Sequence, residues 1–190
     1  MEGRVLRKSG DKQKLISRED CVLVIIDIQD KLIPVITNGQ SVIRNVVRLA
    51  KFSHIIGLPV IITEQEKLGS TIVEVKKELP NICPINKVHF NCFFCKDFKD
   101  QISLVGKKTL VLAGVEAHIC VAQTALYALP YFNVHVLGDA TSSRTVENRD
   151  TALERMRQYG VTITSSEMLI YELLQKAGTE EFKTVLQLVK

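Results

Sequence analysis

Short, continuous apolar runs alternate along this chain with stretches whose apolar positions recur three and four residues apart. The first pattern is that of strands buried on both faces, the second that of amphipathic helices. CVLVIID (21–27) is a strand run that ends directly on the carboxylate of Asp27. SVIRNVVRLAKFSHII (41–56) has helical period and stops at Gly57-Leu58-Pro59, a helix-ending signal. PVIIT (59–63) predicts a second strand with Glu64, Gln65 and Glu66 at its end, and a helix over 71–79 is closed by Pro80. Lys87 falls in a short extended segment after the Cys83-Pro84 loop, and 98–105 suits a short amphipathic helix. Later come a strand over 134–137, a charged helix over 147–159 stopped by Gly160, a strand over 161–163 and helices over 165–176 and 179–189. Thr164 and Glu167 have the T-x-x-E spacing of a capping box.

The stretch TLVLAGVEAHICVAQT (109–124) changes period inside itself. Leu110 to Ala113 is a buried strand, and after Gly114 the positions Ala117, Cys120, Val121, Thr124, Ala125 and Ala128 take helical spacing. Cys120 therefore falls near the start of a helix, where the positive end of the macrodipole favours a thiolate. Taken alone, the stretch favours a plainer reading, a buried small apolar cysteine. Strand and helix alternate about six times, which predicts an α/β fold: a three-layer, doubly wound, Rossmann-like sheet of about six parallel strands with helices on both faces. In such sheets ligands bind beyond the carboxyl ends of the strands. Asp27, Lys87 and Cys120 are then placed at one edge, although Lys87 could equally reach out to solvent.

With 190 residues, 46% of them hydrophobic, the chain can bury a full core in one domain spanning 1–190. No apolar run is long enough for a membrane span, and the N-terminus lacks the apolar core of a signal peptide, so a cytoplasmic protein is expected. Five cysteines do not read as a secreted disulfide framework. Net charge is only +4, and the basic residues Arg4, Arg7, Lys8, Lys12 and Lys14 read as a solvated, loosely ordered terminus (1–16) rather than a nucleic-acid arm. Neither a nucleic-acid partner nor a membrane partner is expected. No dinucleotide fingerprint or P-loop is present. The C-x-x-C at Cys92 and Cys95 reads as two core-facing cysteines between aromatics.

Asp27 in a D-x-Q setting (Asp27-Ile28-Gln29), Lys87, the GVEAHIC turn with its Cys120, and the segment SSRTVENRDTALERMRQYGV (142–161) together resemble the isochorismatase-like cysteine hydrolases. The likeness covers nearly the whole chain and is closest to the metal-free, isochorismatase domain-containing branch. It implies a catalytic triad of Asp27, Lys87 and Cys120. Asp27 would take the thiol proton, Lys87 would stabilise the charge, and backbone N–H groups of Glu116 and Cys120 would hold the oxyanion. It also implies a cis peptide at Val115–Glu116, hydrolysis of a C–N bond in a small molecule through a thioester, and homo-oligomeric assembly. Gln29, Gln65, Phe90, Phe93, Phe94 and Glu116 are candidates to line the pocket. Metal-dependent relatives carry histidines where this chain has Thr63-Glu64-Gln65-Glu66, and His54, His89, His118 and His135 lack ligand spacing, so no metal and no cofactor are expected. The competing reading is a non-catalytic ligand-binding or interaction module that keeps the fold.

Overall fold

The computed structural model describes residues 15–189, so the basic cluster from Arg4 to Lys14 lies outside the described residues. Six strands make one sheet: β1 (Cys21–Ile26), β2 (Val60–Gln65), β3 (Ile85–Lys87), β4 (Thr109–Val115), β5 (Asn133–Ser142) and β6 (Thr162–Thr164). Their order is β3-β2-β1-β4-β5-β6 and every adjacent pair is parallel. This is the doubly wound sheet that the alternation of runs predicts. The order reverses between β1 and β4, which makes the crevice above that pair the place where such a sheet binds ligands. Asp27 leaves β1 there and the Cys120 turn leaves β4.

The helices are α1 (Gly39–Ile56), α2 (Val73–Glu78), α3 (Lys96–Val105), α4 (Ala122–Ala128), α5 (Val146–Gln158), α6 (Ser166–Leu174) and α7 (Glu180–Val189). β1 shows why its sequence is apolar at every position. Cys21, Leu23 and Ile25 face a core shared with α1, α6 and α7, while Val22, Val24 and Ile26 face a second core shared with α3, α4 and α5. Burial on both faces removes the alternation that a one-sided strand would show. α1 ends as its sequence predicts, with Gly57 at φ 67° and its N–H returned to the Ser53 carbonyl.

Three local expectations change. The cap of α6 is Ser165, whose side chain accepts from the Met168 N–H, rather than Thr164; the capping residue is one position later than the T-x-x-E spacing indicates. β5 continues past Gly138-Asp139 to Ser142, because a register shift against β4 between Leu112 and Gly114 lets pairing resume at Gly114–Thr141. All described peptide bonds are trans, so the cis Val115–Glu116 bond is not present. The chain turns out of β4 by another route, with Gly114 at φ 148° and Glu116 left-handed at φ 56°.

Candidate active site

Parallel pairing brings the three residues together. Ile26 is level with Thr63 on β2, and Gln65 is level with Lys87 on β3, so the ends of three strands meet. Asp27, the first residue past β1, is left-handed at φ 57°, a conformation uncommon for a non-glycine residue and concentrated at functional sites. Its carboxylate is fully engaged: Oδ1 accepts from the Thr63 hydroxyl at 2.8 Å and Oδ2 from Lys87 Nζ at 2.8 Å. Lys87 Nζ also donates to Gln65 Oε1 at 2.8 Å and lies 3.7 Å from Cys120 Sγ. The Lys87 and Asp27 side chains are 0% and 1% exposed, so Lys87 faces the crevice and not solvent.

Cys120 is carried by a π turn, Ala117–Val121, set between β4 and α4. The sequence predicts one continuous helix here; the wider turn is an insertion of the kind found at functional sites. The helix-dipole expectation of a ready thiolate is also corrected. Burial, and after it the Asp27 carboxylate, push the Cys120 thiol well up from its ordinary value, and the opposing pull of Lys87 does not offset them. Burial works against the Lys87 charge, yet Asp27, Cys92 and Cys120 outweigh it and raise its pKa. The Cys120 thiol thus rests neutral beside the Asp27–Lys87 ion pair.

The remaining candidates divide. Gln65 holds the lysine, and its Nε2 donates to the Val88 carbonyl at 2.8 Å. Gln29 is fully buried, its Nε2 donating to the carbonyls of Gln65 (3.0 Å) and Gly69 (2.7 Å) and its Oε1 accepting from the Gln65 N–H (2.8 Å). It positions the end of β2. The Phe93 ring is packed on Phe98, Tyr127 and Phe132 at centroid distances of 5.1 to 5.7 Å. Phe94 lines an open cleft of about 360 Å³ along the edge strand, with Glu66, Val88, His89, Cys95 and Lys96. Phe90 is half exposed and is not among the residues around that cleft. Glu116 is buried, and its carboxylate meets Arg144 Nε at 2.6 Å.

Sequence reading missed Thr63, whose hydroxyl orients Asp27; laying the ends of 21–27 and 59–63 side by side as parallel neighbours would have found it. Cys92 is in the core as expected, its N–H donating to the Thr124 hydroxyl at 3.1 Å, but Cys95 is half-buried at the cleft with its thiol directed at the Asn86 carbonyl. All five cysteines are free. Among the described residues no group of three or more His, Cys, Asp or Glu converges to hold a metal ion.

Three buried thiols make stability depend on pH in a definite direction. Burial raises Cys21 to about 12 and Cys92 to about 11 from 9.0, and Cys120 moves the same way. The folded state then holds protons that the unfolded state releases first, so stability is intact below the ordinary cysteine value and falls above it. Each group contributes a slope of about 1.4 kcal/mol per pH unit, so the three together give about 4 kcal/mol per unit. Urea unfolding measured from neutral pH upward should show a plateau and then this fall from 9.0. A flat profile through pH values near 11 would contradict the burial of these thiols.

A doubly wound sheet with a carboxylate, a lysine and a thiol converging at its switch point places the chain in the class of α/β proteins whose chemistry is done at strand ends. The isochorismatase domain matches residues 21–168, and the chain belongs to the isochorismatase-like hydrolase family. It is 35% identical over 176 residues to the secreted isochorismatase effector Isc1 of Phytophthora sojae, covering 89% of this chain and 84% of that protein. Among solved structures it resembles the MAR1 ribonuclease of Caenorhabditis elegans (32% identity, TM-score 0.86, 92% of both chains). YcaC of Pseudomonas aeruginosa, solved with covalent acrylamide, matches at 27% identity and TM-score 0.87 over 94% of this chain and 93% of that one. YcaC of Escherichia coli, described as an octameric hydrolase of unknown specificity, matches at 25% and 0.85 over 92% and 90%. Because one relative is named as secreted, membership of the family does not fix the compartment; no helix among the described residues is long and apolar enough to cross a membrane.

Proposed function

We propose that this chain is a cysteine-dependent hydrolase that cleaves an amide-like C–N bond of a small molecule through a thioester on Cys120. The observation that carries the reading is the buried contact of Lys87 Nζ with both Asp27 Oδ2 (2.8 Å) and Cys120 Sγ (3.7 Å). A lysine desolvated to this degree is retained where its charge is used. Sγ attacks the carbonyl carbon as its proton passes to Asp27, and the carbonyl electron pair moves to oxygen. The first bond back in the π turn is donated by Ile119 to the Glu116 carbonyl (2.8 Å), so the N–H groups ahead of it have no intrahelical acceptor and are suited to hold that oxyanion. Collapse expels the amine, which takes the proton from Asp27. Asp27 then accepts a proton from water as the hydroxyl attacks the thioester; collapse breaks the C–S bond, Sγ takes that proton back from Asp27, and the acid product leaves. The raised thiol suits this order: proton removal accompanies attack instead of preceding it.

The whole chain as one hydrolase domain, homo-oligomeric assembly and cytoplasmic residence belong to the same proposal; the octameric description of Escherichia coli YcaC supports the second. The test is ammonia release from a panel of small primary amides by the unaltered protein and by Cys120→Ala. The unaltered protein should turn over at neutral pH and carry an acyl mass on Cys120 after acid quench. Cys120→Ala should lose both, a fall of about 10⁴-fold or more. Turnover that survives in Cys120→Ala would overturn the thioester. An inert Cys120 in the unaltered protein would leave the non-catalytic module.

A further inference from the structure

Four side chains outside the triad meet behind the turn that carries Cys120. Glu116 is 5% exposed and left-handed, which joins two unfavourable features in one residue, a buried carboxylate and a backbone conformation that side chains rarely adopt. Its Oε1 is ion-paired with Arg144 Nε at 2.6 Å. Its Oε2 is buried without a well-formed hydrogen bond and lies 3.3 Å from His118 Nδ1, which in turn is 3.0 Å from the buried Ser143 hydroxyl. His118 supplies a charge only when protonated. Arg144 is therefore the one permanent cation against this carboxylate among the described residues.

Arg144 is also held from behind. Its carbonyl accepts from the Thr37 hydroxyl at 2.9 Å, the Ser143 carbonyl accepts from the Thr37 N–H at 2.9 Å, and the Ser142 hydroxyl donates to the Thr37 carbonyl at 2.7 Å. Thr37 lies on the segment that follows Asp27. Contacts of residues 142–144 thus tie the segment after β1 to the end of β5, and the Arg144 guanidinium ties that end to the turn out of β4. An ordinary surface ion pair joins two exposed side chains and contributes little. Here the guanidinium is 55% exposed, but the carboxylate it meets is 7% exposed and belongs to the residue that starts the Cys120 turn.

We infer that Arg144 is a positioning residue for the reaction: acting through Glu116, it holds the left-handed turn that aims the backbone N–H groups beside Cys120 at the developing oxyanion. The inference rests on the proposed cysteine chemistry, and two alkylating reagents separate it from general loss of structure. Acrylamide forms its bond to Sγ at the β-carbon as the thiol proton passes to Asp27, and sends an electron pair onto the carbonyl oxygen, which then needs the donors of the turn; the α-carbon finally takes that proton back from Asp27 by way of water. Iodoacetamide loses iodide and places no charge on its carbonyl, so it reads only the thiol and its access.

The experiment measures both rates at Cys120 by mass spectrometry, in the unaltered protein, Arg144→Gln, Arg144→Lys and the double variant Glu116→Gln/Arg144→Gln. Arg144→Gln should slow acrylamide addition by about 10²-fold, the scale of losing an oxyanion donor, and change iodoacetamide by less than about threefold. Arg144→Lys, which keeps the charge against Glu116, should recover most of the acrylamide rate. The double variant should show the same selective loss without a stranded carboxylate, so it serves if Arg144→Gln does not fold. Equal slowing of both reagents, or no change in either, overturns the positioning role. Inertness of Cys120 to both reagents in the unaltered protein overturns the nucleophile itself and this inference with it.

Discussion

Asp27→Asn is expected to lower folding stability by about 3–5 kcal/mol, a far larger loss than a polar substitution normally produces, because it strands the Lys87 ammonium in a buried site. The pair is 2.8 Å apart with both side chains shielded from water, so neither solvent nor salt can replace the lost partner. The Asn oxygen can still accept from Lys87, and its amide can donate to a reoriented Thr63 hydroxyl, so the geometry is nearly kept and the loss is one of charge. Lys87→Met should cost a similar amount by leaving the carboxylate alone. The double variant Asp27→Asn/Lys87→Met removes both charges and should cost clearly less than the sum, giving a coupling of about 2–3 kcal/mol in a double-mutant cycle. Urea titrations of the four proteins measure this directly. None of the three variants should hydrolyse an amide at more than about 1% of the original rate, since loss of a general base alone accounts for 10²–10⁴. An Asp27→Asn protein within about 1 kcal/mol of the original would mean that the pair is hydrated in solution and that the site is not a dry cluster.

The separation of these two effects shows what the sequence could and could not disclose. The strands were legible because burial on both faces leaves an unbroken apolar run, as in 21–26. Asp27, Lys87 and Cys120 were legible as a set only through the resemblance, since each taken alone fits an ordinary role. What the sequence did not show was everything set by lateral register. Thr63 reaches Asp27 only because Ile26 is level with it on the neighbouring strand, and Gln65 reaches Lys87 by the same kind of pairing. The π turn was hidden because Ala117, Cys120 and Val121 also satisfy the ordinary helical spacing, and one extra residue in a turn leaves no mark on a short pattern. Phe93 and Phe94 are adjacent and chemically identical, yet one is in the core and the other at the cleft; composition cannot separate them, while the direction of each side chain does. The direction of the thiol's shift is hidden from the sequence for a related reason. The macrodipole is visible in sequence, but the burial and the neighbouring carboxylate that overcome it arise only on folding.

Gly114→Ala is expected to prevent stable folding, or to lower stability by more than about 4 kcal/mol, the exceptional range for a single substitution. Gly114 is level with Ile26 in the β1–β4 pair, at the switch point of the sheet. A Cβ added there would lie 2.2 Å from the Ile26 carbonyl oxygen and 2.8 Å from the Ile26 Cβ, with φ at 148°, so the clash and the backbone strain act together. Relief would require β1 and β4 to separate, and these are the central strands of the sheet. It cannot come from a side-chain rotation, because the nearest obstacle is backbone. The same displacement would move Asp27, the residue after Ile26, away from the turn that bears Cys120. Partial relaxation should therefore abolish acrylamide addition at Cys120 even in any fraction that folds. Gly57→Ala is the control. It also has a positive φ, of 67°, but nothing lies within 4 Å of the added Cβ, so only the left-handed strain of about 1–2 kcal/mol applies. Thermal midpoints and acrylamide rates of the two variants compare strain alone with strain plus collision. If Gly114→Ala were no worse than Gly57→Ala, the close approach of β1 and β4 at the switch point would be wrong, and with it the backbone frame that sets Asp27 against Cys120.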